Sequence, residues 1–353
     1  MRVAVLGAGA VGARIARQLL SGTKVTQIVL RDTDADRLAQ VSKSLGERVI
    51  IEHSPFNSQI DAEVIVVATP SGTQMPSVIE AIETKRPVIS TSDSLAETVA
   101  LLKFASQAKE NNIPIVLGAG FAPGLTCVLA AHGMSWLDTV EEIHVAKVGT
   151  GGPSCALVHH RALSRISYDW RHNSWARRPG GSGRSLCWFP EPIGPQDCYR
   201  AALPSPVLLH HAFPEVSWIT ARVSATLRDR LTAVLPMLSP PHSEGGLGAV
   251  RVELHGQKDN SHEVVVLGAT ERPAVAAATV ATLATECVIN EKLKFRGMAG
   301  LSEIVEPIDF LHGLEKRGLR IEIFEGDNVC LLYTSDAADE GLGVDLGGRR
   351  IIK

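Results

Sequence analysis

The feature that most constrains this chain is a glycine-rich turn between a short apolar run and an amphipathic run. Residues Arg2–Leu6 are largely apolar, Gly7–Gly12 read GAGAVG, and Val11–Leu20 place apolar residues at helical spacing. A GxGxxG turn that follows a strand and opens a helix is typical of a dinucleotide-binding unit. The N-terminus is therefore predicted to form a strand, a tight turn and a helix that together hold a dinucleotide.

Each glycine of this turn has a separate task in that interpretation. Gly7 permits the tight turn, Gly9 lets the backbone approach a pyrophosphate, and Gly12 lets helix and strand pack closely. Asp32 lies 20 residues beyond Gly12, at the end of the predicted second strand. A carboxylate at that place accepts a hydrogen bond from the ribose 2′-OH.

The same carboxylate bears on the choice of cofactor. Asp32 favours NAD, because its negative charge repels the 2′-phosphate of NADP. Arg31 and Arg37 lie close enough in the sequence to pair with such a phosphate, so NADP stays open as an alternative. As plain solvated charges beside a turn, the two arginines would bind no cofactor at all.

After this turn, apolar strand-like runs alternate with helix-like runs. Such alternation predicts an α/β fold with a Rossmann-type doubly wound parallel sheet. Ala62–Ala68 is a continuous apolar run, as expected for a strand buried on both faces. Thr69-Pro70 and Ser90-Thr91 end later strands, where ligands of such sheets bind. The predicted cofactor-binding residues are Gly7, Ala8, Gly9, Ala10, Val11, Gly12, Asp32, Thr69, Pro70, Ser90 and Thr91.

The pattern changes after Gly124. Four strand-like runs predict an inserted α+β substrate and dimerisation domain with an antiparallel type of sheet: Val140–Val148, Val216–Leu227, Ala249–His255 and Glu263–Gly268. Asn173–Pro206 between them is rich in Pro and Gly and is predicted to be a long irregular segment. The expected domains are residues 1–120 with 271–329 for the dinucleotide and residues 121–270 for the substrate.

Composition excludes several other classes of protein. The 353 residues are 45% apolar and carry a net charge of −3, which is typical of a globular chain. Near-neutral charge provides no overall field for nucleic acid or for an anionic membrane. The chain has six cysteines but no CxxC spacing, which favours a reducing, cytoplasmic setting. The uncharged stretch Ile113–Ala131 is interrupted by proline and glycine and is expected to be a buried strand and turn.

The last 24 residues, Cys330–Lys353, are unlike the rest of the chain. They resemble a translated sequencing adapter, and they are left out of the fold prediction. The alternative is an ordinary polar tail.

The motifs in this order resemble the saccharopine dehydrogenase-like family of NAD(P)-dependent oxidoreductases. The resemblance is carried by GAGAVG, VLRD, VIVVATP and GAGFAPGL over residues 1–130, and by the closing segment Met298–Gly326. It implies action on C–N bonds of amino acids or polyamines, and a return of the closing segment to the first domain. It also implies that Gly120, Phe121, Pro123 and Gly124 lie at the passage to the substrate. The chain departs from the family at Ala122, where the better-known reductases tend to carry an acidic residue.

Candidate residues for proton transfer lie in the middle of the chain. Gly149–Pro153 precedes a helix-like run that carries His159, His160 and Arg161. Hydride transfer at an imine or carbonyl needs a proton donor and acceptor, so His160, His159 and Lys147 are the predicted catalytic residues. Arg161 is predicted to hold a substrate carboxylate. Each histidine has the alternative of being structural, and Arg161 that of a solvated basic face.

Metal binding is the other chemistry that cysteine and histidine side chains of this region could support. The residues that would supply ligands are Cys155, His159, His160, Cys187, Cys198, His210 and His211. Their spacings match no recognised zinc pattern, so no metal is expected.

The sequence therefore predicts a homodimeric dehydrogenase that transfers a hydride between NAD, or NADP, and a C–N or C–O centre of a small carboxylate metabolite. No nucleic-acid or membrane partner is expected. The alternative is a non-catalytic sensor or scaffold that binds the dinucleotide without turning it over.

Overall fold

The structure is a computed structural model that describes residues 1–53, 60–237 and 241–324. The elements of the first sheet and its helices are β1 (Arg2–Leu6), α1 (Gly12–Ser21), β2 (Gln27–Asp32), α2 (Ala35–Leu45), β3 (Val49–His53), β4 (Val64–Val67), α3 (Met75–Glu83), β5 (Val88–Ser90), α4 (Leu95–Leu101), α5 (Ala105–Glu110) and β6 (Ile115–Val116). The next are α6 (Leu125–Met134), β7 (Thr139–Val148), α7 (Pro153–Ala162), β8 (Ile166–Arg171), β9 (Ser174–Pro179), β10 (Ser185–Phe189), β11 (Gly194–Arg200), α8 (Ser205–Ala212), β12 (Trp218–Ser224), α9 (Leu227–Thr232), β13 (Gly248–Lys258) and β14 (Ser261–Glu271). The last are α10 (Pro273–Ile289), β15 (Met298–Ala299), α11 (Leu301–Ile304), α12 (Pro307–Glu315) and β16 (Arg320–Phe324).

The first sheet is parallel and has seven strands in the order β15-β6-β5-β4-β1-β2-β3. Its central strand β4 is wholly buried, which is why the sequence shows a continuous apolar run there. The chain reverses its direction of winding between β1 and β4, and ligands of such sheets bind at that point. The predicted Rossmann sheet is confirmed.

Capping residues set the bounds of the helices beside this sheet. The Asp34 side chain accepts a hydrogen bond from the Arg37 N–H at 3.0 Å and starts α2. The helix ends at Gly46, whose φ of +82° suits a residue without a Cβ. These signals are local, and the sequence accordingly predicts a helix over Ala35–Leu45, the same bounds that α2 has in the structure.

The second sheet is mixed, with the order β10-β11-β12-β7-β13-β14-β16 and the hairpin β8–β9 attached to β12. Strands β7 and β12 run parallel, whereas the other pairs are antiparallel. The expected α+β character is therefore confirmed, but the four predicted strands do not form a purely antiparallel sheet. The long chain between β7 and β12 gives room for the crossover that a parallel pair needs.

The prediction of an irregular segment at Asn173–Pro206 is wrong. This stretch forms strands β9, β10 and β11 and leads into α8. Its glycines lie at the turns between the strands, and Gly181, Gly183 and Gly194 have positive φ. Turn residues so closely spaced mark short hairpins as well as loops, and the strands between them are only five to seven residues long.

The closing segment is divided between the two sheets. Helix α10 packs on α1, and β15 pairs with β6 of the first sheet. Strand β16 instead pairs with β14 and covers an edge of the second sheet, so it does not return to the first domain as the resemblance implied. The predicted boundaries 1–120 with 271–329, and 121–270, stay a prediction.

The adapter-like segment Cys330–Lys353 lies outside the described residues. Within the parts of the chain that the structure describes, no helix is long and apolar enough to cross a membrane.

Candidate functional site

A cleft of about 660 Å³ lies where the carboxyl ends of the first sheet face the β7–α7 turn of the second. Its position at the winding reversal is where a dinucleotide binds in this type of sheet. The predicted residues that line it are Gly7, Gly9, Ala10, Val11, Asp32, Thr69, Pro70, Thr91, Gly120, Phe121, Pro123 and Lys147.

The glycine turn shows which glycines serve the fold and which leaves room for a ligand. A Cβ on Gly7 would lie 2.6 Å from the Ala68 carbonyl oxygen, and one on Gly12 would lie 1.8 Å from that of Gly7. Those two glycines are needed for packing. A Cβ on Gly9 would meet no atom of the described parts of the chain within 4 Å. The space beside Gly9 opens into the cleft, and it fits the close approach of a pyrophosphate.

Asp32, the last residue of β2, lies beside the glycine turn and is only 5% exposed. Its Oδ2 accepts a hydrogen bond from the Ala8 N–H at 2.6 Å, and its Oδ1 accepts one from the Asp34 N–H at 3.0 Å. Each carboxylate oxygen can accept a second bond, so a ribose hydroxyl would find acceptors there. Arg37 Nη1 lies 3.8 Å from Asp32 Oδ2 and also lines the cleft, which keeps the NADP alternative open.

Three predicted cofactor residues, Ala8, Gly12 and Ser90, are not among the residues that line the cleft. Ala8 contributes its N–H to Asp32, and Gly12 is buried against the turn. Ser90 is buried, and its hydroxyl donates to the Gln74 side chain at 2.7 Å. These residues hold the walls of the cleft in place, and any part they take in cofactor binding is indirect.

An ion pair occupies the other end of the cleft. Lys147, at the end of β7, is 3% exposed, and its Nζ lies 3.6 Å from Asp93 Oδ2. Both side chains line the cleft. Asp93 Oδ1 is buried and has no hydrogen-bond partner among the residues that the structure describes, so this carboxylate retains an open acceptor beside the lysine. Lys147 was predicted from the sequence, whereas Asp93 was missed.

Cys155 completes this group and was also missed as a cleft residue. It lies in the first turn of α7 and lines the cleft, and its thiol is 3.9 Å from Asp93 Oδ2. Burial raises the pKa of this thiol to about 11, and the negative charge of Asp93 adds to that effect. The thiol therefore stays protonated at neutral pH.

The loop between β6 and α6 forms a further wall. Gly120, Phe121 and Pro123 line the cleft. Gly124 does not line it: a Cβ there would lie 2.3 Å from the Gly120 carbonyl oxygen, and its φ is +113°. Gly124 is therefore required by the turn that starts α6.

Neither predicted catalytic histidine is among the residues that line the cleft. The His160 ring Nε2 lies 2.9 Å from the Thr232 carbonyl oxygen and 3.2 Å from that of Leu235. Burial and the positive charge of Lys147 together lower the pKa of His159 to about 4, although a hydrogen bond to the Ser224 backbone acts in the opposite direction. The reason lies in the direction of α7: its N-terminus faces the cleft, and residues 159–161 follow about 9–12 Å further along the axis.

Arg161 lies at the same distal end of α7 and is exposed outside the cleft. The structure therefore does not place it where it would clamp a substrate in this cleft. In the described parts of the chain, no group of three or more His, Cys, Asp or Glu side chains is arranged to hold a metal ion.

Comparisons with known proteins agree with this geometry. Residues 1–109 match the GFO/IDH/MocA model, described as an oxidoreductase family with an NAD-binding Rossmann fold. No curated protein matches the chain.

Two solved structures are similar over most of both chains. Saccharopine dehydrogenase (L-Glu forming) from Saccharomyces cerevisiae is 13% identical with a TM-score of 0.66, and the match covers 92% of this chain and 100% of that one. Amine dehydrogenase from Mycobacterium smegmatis is 12% identical with a TM-score of 0.51, covering 87% and 96%. At these identities the likeness concerns the fold. The chain thus has the NAD-binding Rossmann domain of an oxidoreductase, joined to a region with a mixed, mostly antiparallel sheet.

Proposed function

We propose that this chain is a dehydrogenase or reductase that acts on a C–N or C–O centre of a small amino-acid-like carboxylate. The observation that carries the proposal is that one cleft contains both a dinucleotide cradle and a buried Lys147–Asp93 pair. A protein that only bound the dinucleotide would have no need for an ion pair at the opposite end. The names of the two similar structures, a saccharopine dehydrogenase and an amine dehydrogenase, support chemistry at a C–N bond.

The residues for the cofactor follow from the lining of the cleft. Gly7, Gly9, Ala10 and Val11 would hold the pyrophosphate, and Asp32 would hold the adenosine ribose. Thr69, Pro70 and Thr91 would face the nicotinamide half. When bound, the nicotinamide supplies or accepts the hydride, and the protein must move the accompanying proton.

Lys147 is the group that we assign to this proton. Its ammonium would donate to the nitrogen or oxygen of the reduced centre, or its amine would accept in the opposite direction. Asp93, whose Oδ2 lies 3.6 Å from Lys147 Nζ, holds the lysine side chain at the cleft. His159 and His160 do not line the cleft, and we do not assign them a catalytic role. A substrate carboxylate would bind at the glycine turn 149–152 and the start of α7.

The direct test is a turnover screen with NADH and NADPH against keto acids, with and without ammonia or amines, and with NAD and NADP against amino acids. We expect turnover with at least one class of carboxylate. Tight binding of the dinucleotide by calorimetry with no turnover in the screen would instead support the sensor alternative.

A further inference from the structure

Glu97 is a buried carboxylate, 5% exposed, that the proposed chemistry does not use. It lies three residues after Ser94, the residue that starts α4, and a Ser-x-x-Glu sequence is typical of a capping box. Ser94 does accept from the Glu97 N–H, at 3.4 Å. In a capping box the glutamate would return to the Ser94 N–H, but that N–H donates to the Ser92 hydroxyl at 3.2 Å. The Glu97 carboxylate is turned elsewhere.

The carboxylate binds the loop that follows β4. Oε1 accepts from the backbone N–H groups of Gln74 and Met75, at 2.6 and 2.9 Å, and Oε2 accepts from that of Gly72 at 2.8 Å. Glu97 therefore caps α3 from a neighbouring helix, while the Gln74 side chain bonds to Ser90 and Thr69. A buried carboxylate with this many charge-assisted bonds holds its partners firmly.

The same carboxylate also binds the loop that carries Asp93. Oε2 accepts from the Ser92 hydroxyl at 2.5 Å, and the Asp93 N–H donates to the Ser71 hydroxyl of the opposite loop at 3.1 Å. The loops after β4 and β5 are therefore both hydrogen-bonded to the Glu97 carboxylate. Asp93, which follows Ser92 in the second of these loops, pairs with Lys147.

We infer that Glu97 is a positioning residue: by joining the loops after β4 and β5, it fixes Asp93 against Lys147 and beside the cofactor wall. The inference rests on the proposed function for its consequence in turnover, but not for its geometry. An isolated loop residue such as Asp93 would otherwise sample several rotamers, and a misplacement of about 1 Å at a reacting group costs on the order of 100-fold in rate.

The test is a double-mutant cycle of Glu97→Gln with Asp93→Asn, with the exposed Glu83→Gln of α3 as the control. Glutamine keeps the shape but turns one acceptor into a donor, which opposes the donors around it. We expect Glu97→Gln to lower kcat by about 10- to 100-fold in the wild-type background and by less than about twofold with Asn at position 93. The melting temperature should fall equally in both backgrounds. An equal loss of kcat in both backgrounds would overturn the inference.

A second readout does not depend on turnover. Cys155 reports the place of Asp93, because its thiol lies 3.9 Å from Asp93 Oδ2 and the charge of that carboxylate adds to burial in raising the pKa of the thiol. We expect Glu97→Gln and Asp93→Asn each to raise the alkylation rate of Cys155 by at least about threefold, with Cys287 as the internal reference and no further increase in the double variant. The Cys155 rate is measured by peptide mass spectrometry after iodoacetamide.

If no substrate turns over, the proposed function fails and the alkylation rates alone decide. An unchanged Cys155 rate in folded Glu97→Gln would overturn the inference. If Glu97→Gln does not fold, Ser92→Ala replaces it, because it removes one of the four bonds and should change Cys155 in the same direction. No change in that variant would likewise overturn the inference.

Discussion

The two ends of the cleft are built in different ways. The cofactor end is built around one short stretch, Gly7–Asp32, and the buried Asp32 carboxylate accepts hydrogen bonds from the backbone N–H groups of Ala8 and Asp34, with the half-exposed Arg37 guanidinium 3.8 Å away. The other end joins Asp93, Lys147 and Cys155 from three distant segments, and its buried charge is balanced by a second side chain. Backbone dipoles stay fixed when a ligand arrives, whereas an ion pair can exchange a proton. The first arrangement suits binding, and the second suits reaction.

The largest effect on turnover is expected for Lys147→Met, which removes the charged partner at the reacting end of the cleft. If Lys147 carries the proton, kcat should fall by about 10²- to 10⁴-fold, while the Kd for NAD measured by calorimetry stays unchanged. His160→Gln is the control, since its ring bonds to backbone carbonyls away from the cleft. We expect it to change kcat by less than about threefold. A larger loss in His160→Gln than in Lys147→Met would reverse the assignment.

Gly9→Val should weaken dinucleotide binding strongly while leaving the fold intact. A Cβ at this position meets no atom of the described residues within 4 Å, and the valine side chain fills the space that a pyrophosphate needs, so the Kd for NAD should rise at least about 100-fold. Gly246→Val is a matched control, because a Cβ there also meets nothing within 4 Å. Calorimetry gives the Kd, and circular dichroism checks the fold. Unaltered NAD binding in Gly9→Val would mean that the dinucleotide does not use this turn.

A smaller effect is expected on the choice of cofactor. Asp32→Ala removes the charge that repels a 2′-phosphate and leaves Arg37 nearby, so the ratio of NADP to NAD affinity should rise about tenfold. Asp36→Ala is the control: it removes an exposed negative charge from the first turn of the same helix, α2, and should leave the ratio unchanged. Both ratios come from titrations with the two cofactors. If Asp36→Ala shifts the ratio as much, the negative charge of the whole region, and not Asp32 itself, sets the preference.

The smallest expected effect concerns His159 and the loss of unfolding free energy as the pH falls. The folded-state pKa of His159, about 4, lies below its ordinary value of about 6.5, so the unfolded chain binds more protons between these pH values. Stability from this histidine is therefore complete above pH 6.5 and is lost as the pH falls toward 4. His159→Gln should lose less free energy of unfolding between pH 7.5 and 4.5 than the wild type, by about 1–3 kcal/mol.

Urea titrations at both pH values measure that difference, and the exposed His262→Gln serves as the control. Equal losses in the wild type and in His159→Gln would show that the imidazole is not held neutral by its surroundings.

Much of the first sheet could be predicted because its signals are local. The runs Ala35–Leu45, Val88–Ser90 and Pro273–Ile289, which caps, prolines and apolar residues mark in the sequence, have the same bounds as α2, β5 and α10. The second sheet was harder: the parallel pairing of β7 with β12 depends on partners far apart in the chain. The strands at residues 174–200 are short and separated by glycine and proline, so their composition resembles that of a loop.

The sequence by itself determined the dinucleotide cradle, because strand, glycine turn, helix and acidic residue stand at covalently fixed spacings. Only the tertiary structure decided which polar side chains meet at the other end. The sequence does not show which end of α7 faces the cleft. Because this helix packs with its N-terminus toward the cleft, Cys155 lines the cleft, whereas His159, His160 and Arg161 lie outside it. Asp93 and Lys147 meet because two different sheets present their strand ends to one cleft, and no local pattern records such a meeting.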